Sequence, residues 1–282
     1  LYYGVGRIEE AITELETALE INPEYTRARR QLGLYYRDCG QYEKALEELE
    51  EIIAKAPEDS SALKDLGDIA SAIGQSEKAI EYYRRLLEIT PRDFATCLKL
   101  SSIYSDCGDY DEAIKLIRRA VELNPNYPDL HYNLGLLLEA TGNFEEGMEE
   151  YKKAVSIHPR YIKALQKLGA AYTRQGRYEE ARAELEKAVK VNPEFPVLHF
   201  QLGVIYNARG RTDKAEEEFE KTLEIQPRHA EALINLGNMY ENNQNYGEAV
   251  ERFKKAIEVD PGNYYPYLRL GVCQHKNDQF NQ

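Results

Sequence analysis

The stretch from Ile162 to Pro193 sets the rhythm of the whole chain. Apolar residues recur at three- and four-residue steps, first at Leu165, Leu168, Ala171 and Tyr172, then at Ala181, Leu185, Ala188 and Val189. Polar and charged residues fill the positions between. This spacing puts the apolar set on one stripe of a helix, so the segment predicts two helices. Gly176 stands between them, where the end of a helix calls for a left-handed residue. Pro193 follows the second helix, which a proline cannot continue.

The same punctuation runs along the chain. Pro23, Pro57, Pro91, Pro125, Pro159, Pro193, Pro227 and Pro261 follow one another at 34-residue steps with no insertion or deletion. Gly33, Gly67, Gly135, Gly169, Gly203, Gly237 and Gly271 keep the same step, broken only by Ser101. Gly6, Gly40, Gly74, Gly108, Gly142, Gly176 and Gly210 form a second ladder at the end of each first helix. Ala11, Ala45, Ala79, Ala113, Ala181, Ala215 and Ala249 form a third, with Gly147 in the gap. The first Gly ladder and the facing Ala ladder are both small, which predicts a close approach of the paired helices. The remaining prolines, Pro128, Pro196 and Pro266, fall at or near the first turn of a following helix, where proline is tolerated. No helix pair buries its apolar face alone, so the pairs must stack.

The motif Leu168-Gly169-x-x-Tyr172…Gly176…Ala181…Ala188…Pro193, and again Leu236-Gly237-x-x-Tyr240…Ala249…Phe253…Ala256…Pro261, resembles the tetratricopeptide repeat (TPR) over essentially the whole chain. The family's first large aromatic is absent, and Arg29, Leu63, Cys97, His131, Leu165, His199, Leu233 and Tyr267 stand there instead. The resemblance implies an all-α, right-handed superhelical solenoid of antiparallel helix pairs, with first helices lining the concave surface. The expected organisation is a single solenoid over 1–282. It has a partial repeat at 1–25, full repeats at 26–59, 60–93, 94–127, 128–161, 162–195, 196–229 and 230–263, and a partial repeat at 264–282.

The end repeats read as cut. Residues 1–25 hold the tail of a first helix and a full second helix, and in 264–282 a first helix is followed by "NDQFNQ", the start of a second. Tyr2, Tyr3, Tyr265, Leu268 and Val272 are then expected to be partly uncovered, as in a piece of a longer solenoid.

Charge narrows the choice of partner. A formal net charge of −13 argues against nucleic acid, whose phosphates need clustered Lys and Arg. No run approaches the roughly 18 consecutive apolar residues of a membrane span. Cys39, Cys97, Cys107 and Cys273 form no C-x-x-C pair and no metal-like spacing with histidine. A reducing cytoplasm is the expected location.

Catalytic chemistry finds little footing, and no enzyme activity, cofactor or metal is expected. His131 and His199 lie 68 residues apart, at equivalent positions two repeats apart, and read as packing substitutes rather than as a pair. Glu9-Glu10, Glu50-Glu51 and Glu216-Glu217-Glu218 lie on second helices, with Lys at helical spacing, and read as a solvated face. Cys39 and Cys107 share one position before the turn glycine and act as small hydrophobes. Tyr36, Tyr104, Tyr172, Tyr206 and Tyr240 occupy one ladder and are expected in the core.

In the family, ligand contacts come mainly from first helices, at the second, fifth, sixth, ninth, twelfth and thirteenth positions of a repeat. By that resemblance Lys99, Lys163, Lys167 and Arg174 make a basic strip. Beside it lie the apolar Tyr132, Leu136, Phe200 and Val204, with Asn133 and Asn235 among the polar positions. Fifth and ninth positions are also partly buried between neighbouring helices, which accounts for part of the apolar set. The implied partner is a peptide or protein segment with acidic and apolar residues. The two-carboxylate clamp of chaperone-binding relatives is incomplete: with Asn133 as its middle member, the preceding repeat offers Leu98 and Ser102 where Lys and Asn are required.

The leading expectation is a non-catalytic interaction scaffold or adaptor. One alternative is the recognition arm of an enzyme such as an O-linked N-acetylglucosamine transferase. Its asparagine ladder is matched here only by Asn133 and Asn235, among Gln31, Asp65, Lys99, Lys167, Gln201 and Arg269. Another is a structural solenoid that self-associates through uncovered ends.

Overall fold

The computed structural model describes residues 5–280, which are helix and turn without a strand. Two compact units divide the chain, 1–143 and 144–282. The first holds α1 (Val5–Ile21), α2 (Thr26–Asp38), α3 (Tyr42–Lys55), α4 (Ser60–Ala72), α5 (Ser76–Ile89), α6 (Phe94–Asp106), α7 (Tyr110–Leu123) and α8 (Pro128–Ala140). The second holds α9 (Phe144–Ile157), α10 (Ile162–Arg174), α11 (Tyr178–Val191), α12 (Pro196–Ala208), α13 (Thr212–Ile225), α14 (Ala230–Asn242), α15 (Tyr246–Val259) and α16 (Tyr264–Phe280). The pairs α2–α3, α4–α5, α6–α7, α10–α11, α12–α13 and α14–α15 pack as antiparallel hairpins, and successive pairs stack within each unit.

Each hairpin turn repeats one hydrogen-bond scheme. At the end of α2, Gly40 N–H donates to the Arg37 carbonyl at 2.9 Å and Gln41 N–H to the Tyr36 carbonyl at 2.8 Å. Gly40 itself has φ +75°. That is a Schellman closure, and it satisfies carbonyls the helix end would otherwise leave orphaned. Gln244 adopts the same conformation, at φ +63°, where the other described turns of the ladder use glycine. A left-handed non-glycine residue costs about 1–2 kcal/mol. Gln244→Gly is therefore expected to raise stability by about 1 kcal/mol, read as a higher urea midpoint. An unchanged or lower midpoint would show that the Gln244 side chain compensates for its backbone.

The expected break near 277 does not occur, and α16 continues to Phe280. Position 278 of the turn ladder is Asp, for which a left-handed turn costs more than for the glycine of most other turns. At Gln244 the strain is offset by α15 packing back on α14, whereas at 278 the right-handed helix is the cheaper path. Of the residues expected to be uncovered, Leu268 is 58% exposed, and Tyr265 and Val272 are half-buried. Tyr2 and Tyr3 lie outside the described residues.

The close approach within hairpins has a different basis from two facing small ladders. A Cβ on Gly67 would stand 2.6 Å from the Tyr83 ring, and one on Gly169 would stand 2.6 Å from Leu185 Cγ. On Gly203 and Gly237 it would meet the Phe219 and Phe253 rings at 2.7 and 2.6 Å. Each glycine is thus a notch for the large residue one helical turn beyond the alanine ladder. Phe219, Phe253 and Leu185 are fully buried there, and Tyr83 nearly so.

The histidines serve the stack in a way their spacing did not reveal. His131 Nε2 donates to the Pro125 carbonyl at 2.9 Å and His199 Nε2 to the Pro193 carbonyl at 2.8 Å. Arg29 reaches the Pro23 carbonyl at 3.2 Å and Tyr267 the Pro261 carbonyl at 3.4 Å from the same repeat position. Where that position is Leu63 or Cys97, an arginine on the following helix substitutes: Arg85 donates to the Pro57 carbonyl at 3.2 Å and Arg119 to the Pro91 carbonyl at 2.7 Å. A carbonyl left behind by a helix end needs a donor, and two alternative side chains supply it.

Candidate functional site

The first-helix faces carry the predicted site residues, and each unit is described by itself. In the first unit, Leu98, Ser101, Ser102 and Ser105 on α6 face Asn133, Leu136 and Leu137 on α8 across a pocket of about 290 Å³. Ile117 on α7 also lines it. Ser101 is the break in the glycine ladder. Its Cβ occupies the notch that glycine leaves open elsewhere, and its buried hydroxyl donates to the Ala113 carbonyl at 2.9 Å. The notch partner is accordingly Ile117, a β-branched residue, in place of the leucines and rings of the other hairpins. A shorter side chain behind a filled notch leaves space on the open side of α6.

Asn133 and Leu136, named from sequence, are thus brought together. Leu98 and Ser102, which break the carboxylate-clamp pattern, complete the same pocket. Tyr132 is half-buried, and burial, aided by the Glu139 carboxylate, pushes its phenol pKa upward. Lys99 is exposed but engaged: its ammonium pairs with Asp68, which also accepts the Tyr83 hydroxyl. Across the neighbouring helices Arg30 pairs with Asp65 at 2.6 Å. Arg30 and Lys99 are therefore balanced by carboxylates of the adjacent repeat.

In the second unit, Lys163, Lys167 and Arg174 share a face of α10 at steps of four and seven. Lys163 and Arg174 are exposed and Lys167 half-buried. The Arg174 guanidinium lies 5.3 Å from the centre of the Phe144 ring. Phe200 and Val204 on α12 are half-buried. The Phe200 ring lies 4.7 Å from the His229 imidazole and 5.8 Å from the Phe219 ring, which fixes it as packing within its own repeat as much as surface. Asn235 is half-buried and turns its amide back to the Glu231 carbonyl at 2.8 Å.

The tyrosine ladder holds the core as expected. Tyr36, Tyr104, Tyr172 and Tyr206 are buried, while Tyr240 is half-buried. Three of these hydroxyls donate to carboxylates on second helices: Tyr36 to Glu16, Tyr206 to Glu186 at 3.4 Å and Tyr240 to Glu216 at 2.6 Å. Burial, with the Glu216 bond adding to it, pushes the Tyr240 phenol up to about 12. Cationic side chains lie over the same rings, as Lys44 does over Tyr36 at 5.1 Å and Arg177 over Tyr172 at 4.5 Å.

Among the described residues no cluster of three His, Cys, Asp or Glu side chains has a metal-binding arrangement. No described helix is long and apolar enough to cross a membrane. Cys39 and Cys107 are exposed, whereas Cys97 and Cys273 are buried. Burial pushes the Cys97 thiol up, and burial with the Glu241 charge pushes Cys273 up to about 11. A raised thiol pKa leaves the protonated, unreactive form dominant at pH 8. Iodoacetamide at that pH is expected to alkylate Cys39 and Cys107 and spare the other two in the native protein, as read by peptide mass mapping. Equal labelling of all four would contradict the burial.

Hairpins of uniform 34-residue period, with side chains presented in rows along first helices, define a helical-repeat scaffold of the kind that engages other proteins. Family models described as TPR repeat match residues 102–142 and 169–208. Further models described as tetratricopeptide repeat match 2–67 and 36–102, 128–161, 150–183 and 195–261. The chain belongs to the tetratricopeptide-repeat family. Among solved structures it is similar to a MamA protein at 27% identity, covering 61% of this chain and 94% of that one with a TM-score of 0.56. YrrB, described as a TPR protein with an unusual peptide-binding site, is 23% identical over 67% of this chain and 97% of its own, with a TM-score of 0.57. The C-terminal part of a TPR repeat-containing protein from Cytophaga hutchinsonii is 17% identical, covers 85% of this chain and 98% of its own, and has a TM-score of 0.72. At these lower identities the likeness is one of fold. No curated protein matches the chain.

Proposed function

We propose that this chain is a non-catalytic adaptor that holds a peptide or protein segment along its first-helix face. The observation that carries the reading is how differently the two helix faces use their side chains. Second helices pair their charges within themselves, as in Lys115–Glu112 at 2.6 Å, Lys187–Glu184 at 2.9 Å and Lys221–Glu217 at 2.8 Å. Such pairs solvate a surface and add little else. First helices instead present half-buried apolar side chains beside the α10 cations. A ligand with acidic and apolar residues suits that surface, through charge-assisted bonds at the rim and apolar anchors. Free cysteines, two of them exposed, support a reducing, cytoplasmic setting.

Charge reversal tests the reading. In affinity capture from native lysate, Lys163→Glu/Lys167→Glu/Arg174→Glu is expected to lose one partner by about tenfold or more relative to the unaltered chain. Lys99 is left alone because reversal would disturb its pair with Asp68. Capture of the same proteins in equal amount by both chains would remove α10 from the binding surface.

A further inference from the structure

We propose that the cleft between α5, the end of α6 and α7 binds one carboxylate carried on a short aliphatic stem. The cleft lies among second helices, apart from the face assigned above to a peptide, and does not depend on the adaptor reading. The Tyr104 hydroxyl is the group that points to a ligand.

Tyr104 is 6% exposed, and its buried hydroxyl finds no acceptor for its proton among the described residues. Burial pushes the phenol pKa up, so the proton stays in place. A buried donor without an acceptor is costly. The same tyrosine ladder shows how other repeats avoid that cost. Tyr36 donates to Glu16 and Tyr206 to Glu186, each 20 residues earlier on the second helix of the preceding repeat. Before Tyr104 that position is Arg84. Its guanidinium lies 5.5 Å from the centre of the Tyr104 ring, and a guanidinium has donors only. The place that gives an anion to Tyr36 and Tyr206 thus gives a cation to Tyr104, and the acceptor has to come from outside the chain.

The charge of Arg84 is also open. Lys152 stands at the equivalent place before Tyr172, but Glu149 neutralises it at 2.6 Å. Arg84 makes no ion pair among the described residues. Arg119 on α7 borders the same cleft. It donates to the Pro91 carbonyl at 2.7 Å, and the rest of its fork is left for a ligand oxygen.

The cleft encloses about 230 Å³, with Leu87, Leu100 and Leu116 beside the two guanidinium groups. Guanidinium and hydroxyl donors suit a carboxylate, and leucine walls suit methylene groups. A glutamate side chain and a short-chain acid share that chemistry. Phosphate suits the cleft less well, because Glu88 and Glu112 also border it. Glu112 is paired with Lys115 at 2.6 Å, whereas Glu88 makes no ion pair among the described residues. A second negative charge on the ligand would face Glu88.

The test labels the tyrosines of the whole chain with carbon-13 at Cζ and follows the resonance that is missing from Tyr104→Phe. Two probes are titrated at neutral pH and constant chloride: N-acetylglutamate N-methylamide and butyrate. Both are expected to move that resonance saturably, with Kd of about 1–10 mM. The neutral N-acetylglutamine N-methylamide and butyramide should leave it in place. The tighter of the two carboxylates tells whether a polypeptide or a free acid is the better source. Arg84→Gln should weaken binding about tenfold, and Glu88→Gln should strengthen it about threefold. Arg84→Glu returns the arrangement of Tyr36 and Tyr206, so it should shift the resonance without ligand and abolish binding. Tyr104→Phe should hold or raise the urea midpoint, since the hydroxyl has no bond to lose. A resonance that neither carboxylate moves, or an Arg84→Gln chain that binds as the parent does, overturns the site. Tighter binding of inorganic phosphate than of either probe overturns the assignment to a carboxylate. A lower urea midpoint for Tyr104→Phe would reveal an internal acceptor and remove the premise.

Discussion

Phe219→Ala is expected to cost about 3–5 kcal/mol, the range for truncating a large buried aromatic. The ring is fully buried and sits in the notch of Gly203, where an added Cβ would stand 2.7 Å away. Alanine would leave a cavity bounded by α12 and α13. A helix stack of this kind loses stability locally before it loses it globally, because each repeat contacts only its neighbours. Amide exchange should therefore rise first in α12 and α13, with an earlier urea transition following. The reciprocal change sharpens the claim. Gly203→Ala should cost about 1–3 kcal/mol through overpacking, although alanine at an open helix position is favoured over glycine by about 1 kcal/mol. In the Phe219→Ala background the notch is vacant, and the same substitution should become stabilising. That reversal of sign is the coupling a double-mutant cycle reads. A Gly203→Ala chain as stable as the original, with Phe219 intact, would defeat the notch account.

The second large effect concerns a charge. The Glu241 side chain is 4% exposed, and it is held by Arg269, whose Nε donates at 2.8 Å. Lys276 lies farther off, at 3.8 Å. Arg269→Met removes the near partner and leaves a buried carboxylate, a change that costs about 3–5 kcal/mol when the pair is fully enclosed. Arg269 is 31% exposed, so solvent and Lys276 soften the loss to about 2–3 kcal/mol. Glu241→Met/Arg269→Met should recover most of it, since no unpaired charge then remains. The thiol of Cys273 reports on the same site. Burial is the main reason its pKa lies near 11, and the Glu241 charge is the next. Removing that charge lowers the pKa, so Cys273 in Glu241→Met should be alkylated faster at pH 9 than in the parent chain. An unchanged rate would mean that burial alone protects it.

The candidate site was legible only in part. Asn133 and Leu136 were found because a periodic chain lets one count to a face, and they do line a pocket. Counting could not show that Lys99 is paired with Asp68, since that bond joins successive first helices across 31 residues. Nor could it show that Phe200 lies between Phe219 and His229. Ser101 was visible as a break in a ladder, and a break of that kind is a signal worth following. Its consequence depends on Ile117, on another helix, and so needed the packed structure.

The sequence by itself determined the helices, their ends and the period of the stack, together with the positions that must be apolar. Those features are local. A proline lacks an N–H, a left-handed residue closes a turn, and a stripe of apolar residues needs a neighbour. Only the tertiary structure decided which side chain fills each glycine notch, which donor reaches each proline carbonyl, and which cations are already spoken for. Those outcomes depend on distances between helices that the chain brings together only by stacking, and a difference of one methyl group decides them.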